Sequence, residues 1–146
     1  MIRLETLAPG LVAALRTSSA TMQRAASVAA CEFAVRQSGA DHPAVLAGVE
    51  KLRSAGTLSS KERAALDDVV AQLDDIYLTM QAGATPSTCE DYVKVFRQAR
   101  AAASVWFAGD DCALTAALES IYEASAAIDK REELFGMVIA VLEGRL

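Results

Sequence analysis

Apolar residues along this chain recur at helical spacing, and almost nowhere in the alternating pattern of a strand. A short helix is expected from Pro9 to about Arg16, with the proline in its first turn. A longer one follows from about Ser19 to Gln37, with Met22, Ala26, Ala29 and Phe33 on one face and Gly39 ending it. Asp41 is the expected cap of a third helix, which carries Pro43 in its first turn, Val45, Val49 and Leu52 as its apolar positions, and Gly56 as its stop. Ser59 and Glu62 have the spacing of a capping box, and Leu66, Val69, Val70, Leu73, Ile76, Tyr77 and Met80 then form a regular stripe up to Gly83. Ser87 and Glu90 repeat that spacing ahead of a fifth helix, whose Tyr92, Phe96, Ala99, Ala103 and Trp106 share a face that ends at Gly109. Asp110 or Asp111 would cap a sixth helix bearing Leu114, Leu118, Ile121 and Ser125, and Asp129 with Glu132 would open a last one reaching about Glu143.

The connections are short, as between neighbouring antiparallel helices. The pattern therefore predicts an all-α fold, a bundle of about six or seven helices forming one domain over 1–146. Asp41–Glu50 aligns without gaps on Asp110–Glu119, and each segment follows an Ala-Ser-Val sequence in an alanine-rich helix. Either a duplicated helical hairpin or the common composition of capped alanine-rich helices accounts for that match.

Composition sharpens this reading. Hydrophobic residues make up 53% and aromatics only 5%, with alanine prominent, which favours closely packed helices. A net charge of −5 and a pI near 4.9 argue against nucleic acid or an anionic membrane as partner. Cys31, Cys89 and Cys112 form neither a disulfide framework nor a zinc site, and a reducing, cytoplasmic location is expected. Leu7–Leu15 contains Pro9 and Gly10, is cut off by Arg16, and does not read as a secretion signal.

The densest chemistry is acidic. Asp67 and Asp68 are followed seven residues later by Asp74 and Asp75, so Asp67 and Asp74 form one row beside the apolar stripe. Asp68 and Asp75 form a second row pointing away from it. A solvated helix face, a surface for a basic partner and a metal site are the three readings. One helix alone does not converge enough oxygens for a hard cation. No third aspartate completes a D-D-x-x-D motif at Asp74-Asp75, and the single histidine, His42, precludes paired Glu-x-x-His ligands. No P-loop, dinucleotide-binding or nucleophile-elbow motif is present, so no cofactor, metal or catalytic residue is assigned.

Lys94, Arg97 and Arg100 lie on one side of the fifth helix, either solvated or paired with the aspartates of the fourth. From Leu134 to Leu142 the last helix has no polar residue. It is either buried in the domain or shared with a second copy of the chain, with Met137, Val138 and Val141 as the homodimer candidates.

The alanine-rich helix with Cys31-Glu32, the Asp41-x-Pro-Ala start and the Glu50-Lys-Leu-Arg-x-Ala-Gly56 ending resemble the small all-helical immunity proteins of bacteria. They resemble uncharacterised helical proteins of high-GC bacteria equally. The likeness spans about a third of the chain and rests as much on composition as on motif. It implies a helical fold and a function in binding and blocking a cognate toxin. The histidines of such proteins are missing, and no functional residue is carried over.

The expectation that follows is a non-enzymatic protein-interaction module, an acidic inhibitor in its most specific form. Asp67, Asp68, Asp74 and Asp75 would meet the partner, with Glu119 and Glu123, one turn apart, in reserve. The alternatives are a small-ligand protein or enzyme with a pocket near Tyr77, Tyr92, Trp106 and Tyr122, and a structural homo-oligomer.

Overall fold

Small side chains determine how the helices meet. The computed structural model describes residues 2–145, in which seven α-helices and two short 3-10 turns, Arg3–Thr6 and Pro86–Thr88, are packed together. The helices are α1 (Pro9–Thr17), α2 (Ala20–Ser38), α3 (Pro43–Ala55), α4 (Ser60–Ala82), α5 (Cys89–Ala108), α6 (Ala113–Ala126) and α7 (Arg131–Leu142). Among the described residues there is no strand, and no helix is long and apolar enough to cross a membrane.

Helix α2 is the hub. It packs along α6 and α5 and meets α7 and α3. Its buried face is Ala26, Ala30, Cys31 and Ala34, opposed by Ala101, Ala102 and Val105 of α5 and Ala117, Ile121 and Ala124 of α6 in one core. The expected stripe of α2 needs correcting here. Of that stripe Ala26 is fully buried, whereas Met22, Ala29 and Phe33 are only half-buried, because the close approach of three helices centres the interface on Ala26, Ala30 and Ala34 and leaves the larger Met22 and Phe33 at its margin. Gly48 of α3 serves the same end: a Cβ there would sit 2.9 Å from Val105 and 3.3 Å from Leu66.

Several buried polar side chains are satisfied locally. Gln23 donates to the carbonyls of Leu15 (2.8 Å) and Ser18 (3.1 Å), closing the end of α1. Ser27, Ser104 and Ser120 donate to carbonyls one turn back on their own helices.

Several helix ends follow the sequence reading. Gly39 (φ 70°) and Gly56 (φ 76°) terminate α2 and α3 in the left-handed region, and Ser59 and Glu62 form a full capping box. Three caps differ. His42, not Asp41, caps α3, its Nδ1 accepting from the Ala44 amide at 3.1 Å. Asp110 accepts from the Cys112 amide in a turn of its own, so Cys112 holds the cap position of α6. Lys130, with no side-chain cap, precedes α7. The Ser87–Glu90 pair is likewise replaced by a reciprocal Thr85–Thr88 box around the second 3-10 turn.

The two segments of the internal match pack differently. Helix α6 runs along both α2 and α5, whereas α3 meets α2, α4 and α5 each over only a few residues. Helix α4 packs chiefly on α5, and its apolar stripe outruns the body. Beyond Val69 no residue of α4 is buried, nor is any residue of α5 before Ala99. The outer parts of α4 and α5 form a hairpin that packs on itself, with the Tyr77 ring 5.9 Å from Tyr92 and 5.1 Å from Phe96.

Candidate functional site

The α4–α5 hairpin concentrates the charge of the molecule. Residues 64–93 hold six acids (Asp67, Asp68, Asp74, Asp75, Glu90, Asp91) and no lysine or arginine, which more than accounts for the chain's net −5. Because successive helical residues are rotated by 100°, each aspartate doublet faces two ways. Asp68 and Asp75 are exposed on the outer face. Asp74 turns inward and is chelated by Arg100, whose Nη2 donates to both carboxylate oxygens at 3.0 Å. Asp67, exposed, lies at the mouth of a cavity beside that pair. The four candidate aspartates therefore divide into an inner and an outer row. Of the three basic residues of α5, Arg100 is the one paired with α4, and Lys94 and Arg97 make no ion pair among the described residues.

Two large apolar side chains stand out on the same hairpin, Ile76 at 48% exposure and Leu78 at 57%. Leu78 falls on the row of Asp67 and Asp74, and Ile76 on the opposite edge of the helix beside Asp75.

At the hairpin's base lies a charge network spanning three helices and the N-terminal turn. Arg100 Nη1 donates to Glu123 at 3.1 Å, and the second oxygen of Glu123 meets Arg3 at 3.2 Å. Arg3 also bonds to Glu119 and lies 4.2 Å from the centre of the Tyr122 ring. Burial works against the charge on Arg3, but the bonds and fields of Glu119 and Glu123 outweigh it and hold its pKa above the ordinary value. Glu123 is 3% exposed, a buried carboxylate paired with two arginines.

Asp67, Val70, Asp74, Arg100, Ala103, Trp106, Phe107 and Glu123 line an open cavity of about 270 Å³. Arg63 stacks on Trp106 at 3.9 Å, its Nε and one terminal nitrogen buried without a hydrogen-bond partner. Sequence reasoning missed Arg3 and Arg63 altogether. Glu119 and Glu123 carried a signal, one helical turn apart, but nothing local identified their partner 116 residues away.

The other candidates are dispersed. Trp106 lines this cavity, whereas Tyr77 and Tyr92 stack farther out on the hairpin, so the aromatics do not gather around one pocket. In α7, Val138 is fully buried in the chain's own core, Met137 is half-buried and packs against that core, and Val141 is 9% exposed. Helix α7 lies at the edge of the bundle against α2 and α1. Cys31 is buried, and desolvation pushes its thiol up to about 12; Cys112 is exposed, and hydrogen bonding from Thr115 lowers its pKa. Among the described residues, no group of three or more His, Cys, Asp or Glu side chains is placed to hold a metal ion.

No family model, no curated protein and no solved structure matches the chain.

Proposed function

We propose that the chain is a non-enzymatic protein-interaction module that binds a basic protein through the α4–α5 hairpin. The observation that carries this is the coincidence, over residues 64–93 of that hairpin, of six acids without a base and the exposed side chains of Ile76 and Leu78, with Lys94 and Arg97 as the bases that follow on α5. Unpaired acids steer a basic partner into encounter, and apolar groups that become buried hold it. An inhibitor of a basic protein is the most specific form of this reading, in line with the resemblance to immunity proteins. The expected setting is the cytoplasm.

Affinity capture from the host tests it, with the tagged chain and its Asp68→Lys/Asp75→Lys variant used side by side. A stoichiometric basic protein held by the first and lost by the second, at equal helicity, is the expected result. A lone monomer, self-association only, or equal retention by the variant overturns it.

The cavity beside Asp67 and Trp106 favours a second reading, a small-ligand site between α4, α5 and α6. Trp106 is the only tryptophan, so its fluorescence reports on that cavity directly. Flat titrations across a ligand library would remove this alternative.

A further inference from the structure

Asp75, Ile76, Thr79 and Met80 surround a shallow hollow of about 250 Å³ on the outside of α4. All four belong to one helix, at i, i+1, i+4 and i+5, and so are adjacent on its surface. A gap between four side chains of one helix is what receives a side chain of another when two helices pack. This one faces solvent, with Ile76 as an apolar wall and Asp75 as a charged rim. Asp68, seven residues back, points the same way about 10 Å along the axis, at 1.5 Å per residue.

From this geometry we infer that the outer face of α4 docks a helix of the basic partner. That helix places one apolar side chain in the hollow and a lysine or arginine against each of Asp75 and Asp68, one heptad apart. The inference rests on the interaction reading above and names the surface and the chemistry of the partner.

Charge selects this occupant over others. A second copy of the chain meeting the same face would set Asp68 and Asp75 against identical acids, at a net repulsive contact. Nucleic acid and anionic lipid are repelled for the same reason. A basic segment without an apolar side chain would satisfy the aspartates and leave Ile76 and Met80 in water, gaining only the weak, salt-screened part of the interaction.

The probe is a displayed library of randomised helical peptides, selected on the intact chain at moderate salt. The enriched peptides should carry Lys or Arg seven residues apart with an apolar residue between them. Their affinity should fall at least about tenfold on Asp75→Lys, a change of about 1.4 kcal/mol, and several-fold on Ile76→Gln. Both positions are exposed, so neither substitution disturbs the core. Leu46→Gln, on exposed α3, is the control that should change nothing.

Enrichment of neutral or acidic peptides, no enrichment, or binding indifferent to both substitutions overturns the docking mode. If host capture still yields a basic partner lost by the Asp68/Asp75 variant, the interaction reading stands and this mode alone fails. If capture yields nothing as well, both fail.

Discussion

Removing the guanidinium of Arg100 tests the physics of the hairpin's base. Arg100 is the junction of α4, α5 and α6: one arm holds Asp74 and the other holds Glu123. In Arg100→Ala the two arms are lost at very different cost. The Asp74 side chain is 39% exposed, so that carboxylate turns to water and its pair is worth no more than about 1 kcal/mol. The Glu123 side chain is 5% exposed and has no such recourse. Its remaining partner is Arg3, itself 42% exposed and therefore a weaker counter-charge.

Breaking a buried pair costs about 3–5 kcal/mol, because the surviving charge stays desolvated. With Arg3 still in place, the Glu123 arm falls to about 2–3 kcal/mol and the whole substitution to about 3 kcal/mol. At about 2–4 °C per kcal/mol for a domain of this size, Tm should drop by about 10 °C. Urea and thermal unfolding followed by circular dichroism measure both.

The companion variant Arg100→Met/Glu123→Leu removes the buried charge along with its partner. It should recover to within about 1 kcal/mol of the parent, since apolar replacement of a whole buried pair is close to neutral. If Arg100→Ala costs less than about 1 kcal/mol, or the double variant is no better than the single, Glu123 does not depend on Arg100 as a buried counter-charge.

Two further outcomes follow from packing and from thiol chemistry. Gly48→Ala should destabilise by about 1–3 kcal/mol in urea unfolding, because the new methyl would lie 2.9 Å from Val105 and 3.3 Å from Leu66 in a filled core; a neutral or stabilising result would mean that α3 can shift. Brief iodoacetamide labelling near neutral pH, read by mass spectrometry, should modify Cys112 well before Cys31. The lowered pKa of Cys112 raises its thiolate fraction at that pH, while Cys31, pushed up to about 12 and buried, should react only after unfolding.

The features legible in the sequence were those whose causes lie within a few residues. Gly39 and Gly56 end helices because the backbone there turns left-handed, and the Ser59–Glu62 box closes on itself. Where two neighbouring residues compete for a cap, composition does not decide: Asp41 yields to His42, and Asp110 spends its carboxylate on a turn. Periodicity gave the apolar side of α4 but not how far the neighbouring helices reach, so Ile76 and Met80 fall on the same stripe as Leu66 although the last stripe residue packed against the core is Leu73. In α2 the apparent stripe ran through Met22, Ala26, Ala29 and Phe33, whereas the interface is centred on Ala26, Ala30 and Ala34. The network of Arg3, Arg100 and Glu123 exists only once the N-terminal turn, α5 and α6 are packed, and no spacing rule reaches across those separations.

The repeated doublets of α4 acquire a sense from this arrangement. Asp67 and Asp74 look toward the body, where Arg100 and the cavity lie; Asp68 and Asp75 look away from it. Neighbours in sequence are thus separated by about 100° in space and sit in different electrostatic settings. Asp74 gives up its field to Arg100 and helps to pin the hairpin to α6, while Asp75 keeps its charge for whatever approaches from outside. The same division explains how an overhang with no fully buried residue holds its place. Arg100 ties it to Glu123, and Gln98 donates to the Gly39 carbonyl at the end of α2 at 3.2 Å, so both anchors sit on α5 where the hairpin leaves the body. With the anchoring acids inside and the presented acids outside, the two rows share no partner. Substitution at Asp74 should therefore move stability, and substitution at Asp75 binding. On the proposed reading, one short helical segment would serve the fold on one side and a partner on the other.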